Sequence, residues 1–168
     1  MDNPLAADIP LVYPAEYDLG KTGLKFMETM TGITLPQFEA CAIALHIINA
    51  EGRGSAHGDQ MRTVQKTLGI IDDVTDIVRK KMFAGEEIDK TQHSYVRFVT
   101  HLKFLVKRLM GEGEKQETEL PLLMDIAKNY PRADSCSKAI ARYFRRSHGW
   151  KLTDEERFYL LMYLIKLR

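Results

Sequence analysis

Apolar residues recur along this chain at the three-and-four spacing of amphipathic helices, and the pattern predicts an all-α fold. The clearest stretch follows Ser94, a residue type suited to a helix N-cap. Beyond it Tyr95, Phe98, Val99, Leu102, Leu105, Val106 and Leu109 fall on one face of a helix that runs to Met110. A second long helix is predicted over residues 59–83, with Val64, Leu68, Ile71, Val74, Ile77, Val78 and Met82 as its core side. Residues 35–50 are apolar around most of a helical circumference, which predicts burial between other helices. Shorter elements are predicted over 4–9, 17–30, 121–128, 134–146 and 154–167. Their stops have physical causes. Tyr13-Pro14 and Tyr130-Pro131 push the residue before proline out of the helical region, and Gly32 and Gly149 suit helix C-termini. Thr34-Leu-Pro-Gln37 and Thr153-Asp-Glu-Glu156 both read as capping boxes.

The order of elements repeats. A shift of 117 residues lays 4–51 over 121–168 without a gap. Pro4 then meets Pro121, Asp8 meets Asp125, Ile9 meets Ile126, Tyr13-Pro14 meets Tyr130-Pro131, Gly32 meets Gly149, and Glu39 meets Glu156. The expected organisation is a half-copy over 1–52, a Gly-rich linker over 53–58, and a complete helical module over 59–168. A half-copy exposes the apolar face that its absent helices would cover, so the chain is expected to be a fragment or a truncated product of a longer protein.

Composition narrows the chemistry. The formal net charge of +1 argues against a chain built mainly to coat nucleic acid or an acidic membrane. The two cysteines, Cys41 and Cys136, make neither a disulfide framework nor a metal-ligand spacing and read as small buried residues. The N-terminus lacks the pattern of a signal peptide and the most apolar run is too short to span a bilayer, so the expected setting is the cytoplasm. No Gly-rich phosphate loop, metal-ligand set or nucleophile–base motif is present, which points away from an enzyme, a cofactor or a metal site.

One histidine stands out. His101 lies at the edge of the apolar face of its helix, with Arg97 one turn back, Arg108 two turns on, and the Thr100 hydroxyl beside it. A neutral imidazole can attack an electrophile, and guanidinium groups above and below can hold an anion. His57, His93 and His148 fall in or beside loops and read as local or solvated residues.

Several segments resemble one family. Ser94-x-x-Arg97-Phe98-Val99-Thr100-His101-Leu102-Lys103-Phe104 resembles the first histidine motif in the second regulatory domain of BglG-type bacterial antiterminators. Leu35-Pro36, Glu39 and the run from Ile43 through His46 to Ala50 resemble the end of the first such domain. Tyr13-Pro14 and Tyr130-Pro131 match the mid-domain turn, and residues 152–160 resemble the start of the final helix. The resemblance implies phosphotransferase-system regulation domains, which are dimerising helical bundles. It implies His101 and His46 as phosphoacceptors, the phosphocarrier HPr and sugar-specific enzyme II components as donors, and a homodimer. Two departures stand beside it. Tyr163 occupies the place of the second histidine of the second domain, opposite His46 in the repeat, and a phenol neutral at pH 7 cannot replace imidazole in this chemistry. The RNA-binding domain and the front of the first domain are absent, so no direct RNA binding is expected of this chain. Two other readings remain open: a histidine phosphotransfer domain of two-component signalling, and a non-phosphorylated oligomerisation remnant.

Overall fold

The structure, a computed structural model, describes residues 7–51, 57–111 and 119–167, with the side chains of 57–60 excepted. Among the described residues there are eight helices and no strand: α1 (Ile9–Val12), α2 (Pro14–Thr31), α3 (Glu39–Glu51), α4 (His57–Met82), α5 (His93–Met110), α6 (Pro121–Asn129), α7 (Pro131–His148) and α8 (Asp154–Ile165). The all-α reading holds. Contacts divide the chain into two compact units, Met1–Gly69 and Ile70–Arg168. Of the predicted linker, 53–56 lie outside the described residues, whereas His57 and Gly58 already belong to α4.

The repeat is visible in the backbone of each unit. Tyr13 caps α1 at φ −128°, ψ 59°, and Tyr130 caps α6 at φ −131°, ψ 64°. Each is followed by an 18-residue helix that opens on proline. Gly32 (φ 68°, ψ 8°) and Gly149 (φ 70°, ψ 13°) then end α2 and α7 in the left-handed region, where a side chain is strained.

In the first unit α2 packs along α3. Gly20 makes their close approach possible, since a Cβ there would lie 2.3 Å from the Ala40 carbonyl oxygen. Ile9, Val12, Leu24, Ala40, Ala44, Val64 and Leu68 are buried. Much of α2 faces outward nonetheless. Leu19 is 55% exposed, Phe26 65% and Met30 70%. Their surroundings differ from those of the equivalent residues in the second unit. There Cys136, opposite Leu19, is fully buried. The Tyr143 hydroxyl, opposite Phe26, donates a 2.6 Å hydrogen bond to Asp73 on α4. Lys81 lies close enough to act on the Cys136 thiol, whose pKa burial pushes up to about 12. Going from Asp73 to Lys81 along α4 thus goes back from Tyr143 to Cys136 along α7, so the two helices run antiparallel where these side chains meet.

The second unit has its core on α5. All seven residues predicted for its apolar face are buried. Two termini differ from the sequence reading. Ser94 is helical, and Gln92 in extended conformation is the N-cap of α5, without a side-chain cap bond. The chain instead enters α5 through a turn in which the Asp89 carboxylate accepts from both the backbone N–H and the hydroxyl of Thr91.

The two predicted capping boxes part company. Thr153 accepts from the Glu156 N–H at 3.2 Å, and the Glu156 carboxylate accepts from the Thr153 N–H at 3.0 Å, so this box is complete. Thr34 makes no such pair, and α3 begins at Glu39 rather than Leu35. The repeat contains the reason: Thr153 is matched by Pro36, which has no hydroxyl. Residues 36–38 make three-residue turns, with Glu39, Ala40 and Cys41 donating to the carbonyls of Pro36, Gln37 and Phe38.

Thr153→Ala should therefore cost about 1 kcal/mol of stability, whereas Thr34→Ala should change it by no more than about 0.5 kcal/mol. Denaturant unfolding of the two variants separates these outcomes.

Candidate functional site

The second unit brings the His101 edge of α5 against one face of α8. Glu156, Tyr159, Tyr163 and Lys166 recur at three-and-four spacing along α8 and its C-cap, which places them on one side of the helix. Arg97, Thr100, His101 and Phe104 of α5 then line a cleft with Phe158, Tyr159, Met162, Tyr163 and Lys166, with a volume of about 590 Å³. Its body is aromatic and aliphatic, and Arg97 and Lys166 are its cations.

His101 is half-buried in this cleft. Its imidazole stacks on Tyr163, with ring centroids 4.6 Å apart and planes 23° from parallel. Tyr159 lies at 6.2 Å in a tilted arrangement. The Nε2 atom is buried and has no hydrogen-bond partner. Burial holds the imidazole below the ordinary histidine pKa, and the Glu156 carboxylate pulls the other way. Burial is the larger effect, so the site favours the neutral ring, the form in which a nitrogen carries a free lone pair.

The other residues singled out from the sequence separate into two groups. Arg97 and Thr100 are in the cleft with His101. Arg97 is exposed, and the Thr100 hydroxyl donates to the Val96 carbonyl at 2.8 Å. Arg108 is not a lining residue. Its Nη2 meets Glu156 Oε1 at 2.5 Å, an ion pair in which the carboxylate side chain is 8% exposed. Arg108 thus ties α5 to the capping residue of α8. His46 is on α3 of the first unit, with its side chain exposed.

Sequence reasoning missed most of the α8 side of the cleft. Tyr163, which the repeat sets opposite His46, is the residue stacked on His101, a contact that no motif announced. Lys166, Phe158, Tyr159 and Met162 carried no motif. Their common face on α8 was legible as a period, but nothing in the sequence states that this face meets His101. Cys41 and Cys136 are buried thiols, as expected. Trp150 and His148 stack on each other at 4.5 Å, which gives both a local packing role. No group of His, Cys, Asp or Glu among the described residues could hold a metal ion, and no described helix is long and apolar enough to cross a membrane.

The second unit thus holds His101 between α5 and α8, beside the Arg108–Glu156 ion pair. Comparison with known proteins shows the family. The PRD domain matches residues 1–50 and 73–167, and the chain belongs to this family. It is 36% identical over 163 residues to the transcription antiterminator LicT of Bacillus subtilis, covering 96% of this chain and 56% of that protein. It is 27% identical over 166 residues to a beta-glucoside operon antiterminator of Dickeya chrysanthemi, covering 99% and 56%. Identity to the transcription antiterminator LacT of Lacticaseibacillus casei is 25% over 164 residues, covering 97% and 55%. The BglG-type resemblance read from the motifs is therefore sound, and the chain is a regulatory module of the phosphotransferase-system-responsive kind. It spans about half the length of the curated relatives it matches.

The depressed pKa of His101 has a consequence for stability. Below the unfolded-state value, about 6.5, the unfolded chain binds a proton that the folded one resists. The imidazole then costs stability as pH falls from that value toward the folded pKa, and costs nothing above it. Unfolding midpoints measured at about pH 8 and about pH 5 should fall more for the wild type than for His101→Gln, which lacks this proton.

Proposed function

We propose that this chain is the phosphoacceptor part of a sugar-responsive antiterminator, with His101 its main acceptor. A phosphorylated phosphocarrier HPr, or a sugar-specific enzyme II component, presents its phosphoryl group to the cleft. The neutral imidazole attacks, and the modified ring controls the dimerisation and RNA-binding activity of the longer regulator. The observation that carries this reading is the half-buried, uncharged-favouring His101 in a cleft whose cations are Arg97 and Lys166. Either cation can pair with the added group, which brings roughly −1.5 to −2 charges. Thr100 can turn its hydroxyl from Val96 to a phosphoryl oxygen.

His46 is the second candidate acceptor, on the half-copy that we assign to residues 1–52. The complete module is then 59–168. The outward apolar residues of α2 support this division, because Cys136, opposite Leu19, is buried and Tyr143, opposite Phe26, is bonded to α4. The same residues also favour a second reading, in which the chain only assembles and never carries phosphate.

One assay separates the two. The chain is incubated with phosphoenolpyruvate, enzyme I and HPr, with and without an enzyme II, and acid-labile phosphate is mapped. Label on His101 that disappears in His101→Ala, with His46→Ala removing at most the remainder, is the expected result. Absence of label with every donor would leave the assembly reading.

A further inference from the structure

The Arg108–Glu156 pair has the features of one half of an exchange. Arg108 is two turns beyond His101 on the same side of α5, a rise of about 10 Å, and helical side chains lean back toward the N-terminus, the direction in which His101 lies. Its Nε is buried with no hydrogen-bond partner, as is Nε2 of His101. Such atoms call for an explanation in a native structure. Glu156 connects the two side chains: one carboxylate oxygen binds Arg108, the other accepts from the Thr153 N–H, and its charge reaches the His101 ring.

We propose that a phosphoryl group on His101 and the Glu156 carboxylate are alternative partners of Arg108, and that Glu156 is a positioning residue whose release from Arg108 reports the modification to α8. The inference rests on the reading of His101 as a phosphoacceptor. In the transfer, a phosphohistidine donor loses its P–N bond, the electron pair returns to the donor nitrogen, and a new N–P bond forms on His101. The site is neutral in its ion pair before this step. Afterwards one guanidinium faces two anions, and the phosphoryl group has the larger charge and three acceptor oxygens. Spare donors on Arg108, now without partners, can serve them. Glu156 keeps its bond to the Thr153 N–H but loses its tie to α5. Because Glu156 is at once the capping residue of α8 and the bridge to α5, this single exchange loosens the first turn of α8 from the helix that carries the modification.

Glu156→Gln isolates the effect. Glutamine also completes a capping box, so the cap survives while the competing charge is removed. Wild type and Glu156→Gln are phosphorylated with an enzyme I- and phosphoenolpyruvate-charged HPr, and three quantities are followed: phosphate on His101, the Arg108 Nε–H resonance, and hydrogen exchange of the amides at 154–157. In the wild type, phosphorylation should shift the Arg108 resonance and speed exchange at 154–157 several-fold. In Glu156→Gln, phosphohistidine should persist several-fold longer and exchange at 154–157 should no longer respond to phosphorylation. If phosphohistidine forms on His101 of the wild type while the Arg108 resonance and the exchange rates stay as they were, the exchange is wrong and the acceptor reading stands. If no donor labels His101, both are overturned.

Discussion

Glu156 carries one negative charge into a nearly closed space between α5 and α8, and the second unit is built to satisfy it. A carboxylate buried this far is tolerable only when paired and hydrogen-bonded. Thr153 supplies a backbone donor and Arg108 a guanidinium, so the start of α8 is held both to its own cap and to a neighbouring helix. That double attachment sets the placement of the α8 face along α5. Tyr159, Tyr163 and Lys166 follow from it by helical spacing, and with them the shape of the cleft around His101.

The electrostatics of the histidine are a by-product of the same arrangement. Packing α5 on α8 removes water from the imidazole and favours its neutral form, while the nearby carboxylate moderates that shift. Tyr163 covers one face of the ring. In the repeat this tyrosine matches His46, so a phenol has taken an imidazole's place without losing the aromatic stacking surface. The phenol offers a flat face for stacking but no imidazole nitrogen, whereas His46 in the first unit is exposed.

The two units show what one sequence pattern does with and without its full complement of helices. Tyr130 and Gly149 closely reproduce the backbone conformations of Tyr13 and Gly32, so local punctuation acts the same way in both. Their long helices then meet different surroundings. On α7 the equivalents of Leu19 and Phe26 lie against α4, whereas on α2 these residues face outward. Identical local rules thus yield one covered helix and one with an apolar exposed side.

Periodicity, proline and glycine determined the helices, their stops and the face of α5 that is buried, because these depend on residues three or four apart and on local sterics. They also placed His101 at the edge of that face with Arg97 and Thr100 beside it. Local signals misled where two of them competed: Thr34 offered a hydroxyl, but Pro36 occupied the cap position and α3 began later. Only the tertiary structure decided which face of α8 meets His101, that Arg108 is spent on Glu156 rather than lining the cleft, and that Tyr163 stacks on the imidazole. These contacts join residues about fifty to sixty positions apart, and no helical period extends across the turns and loops between them.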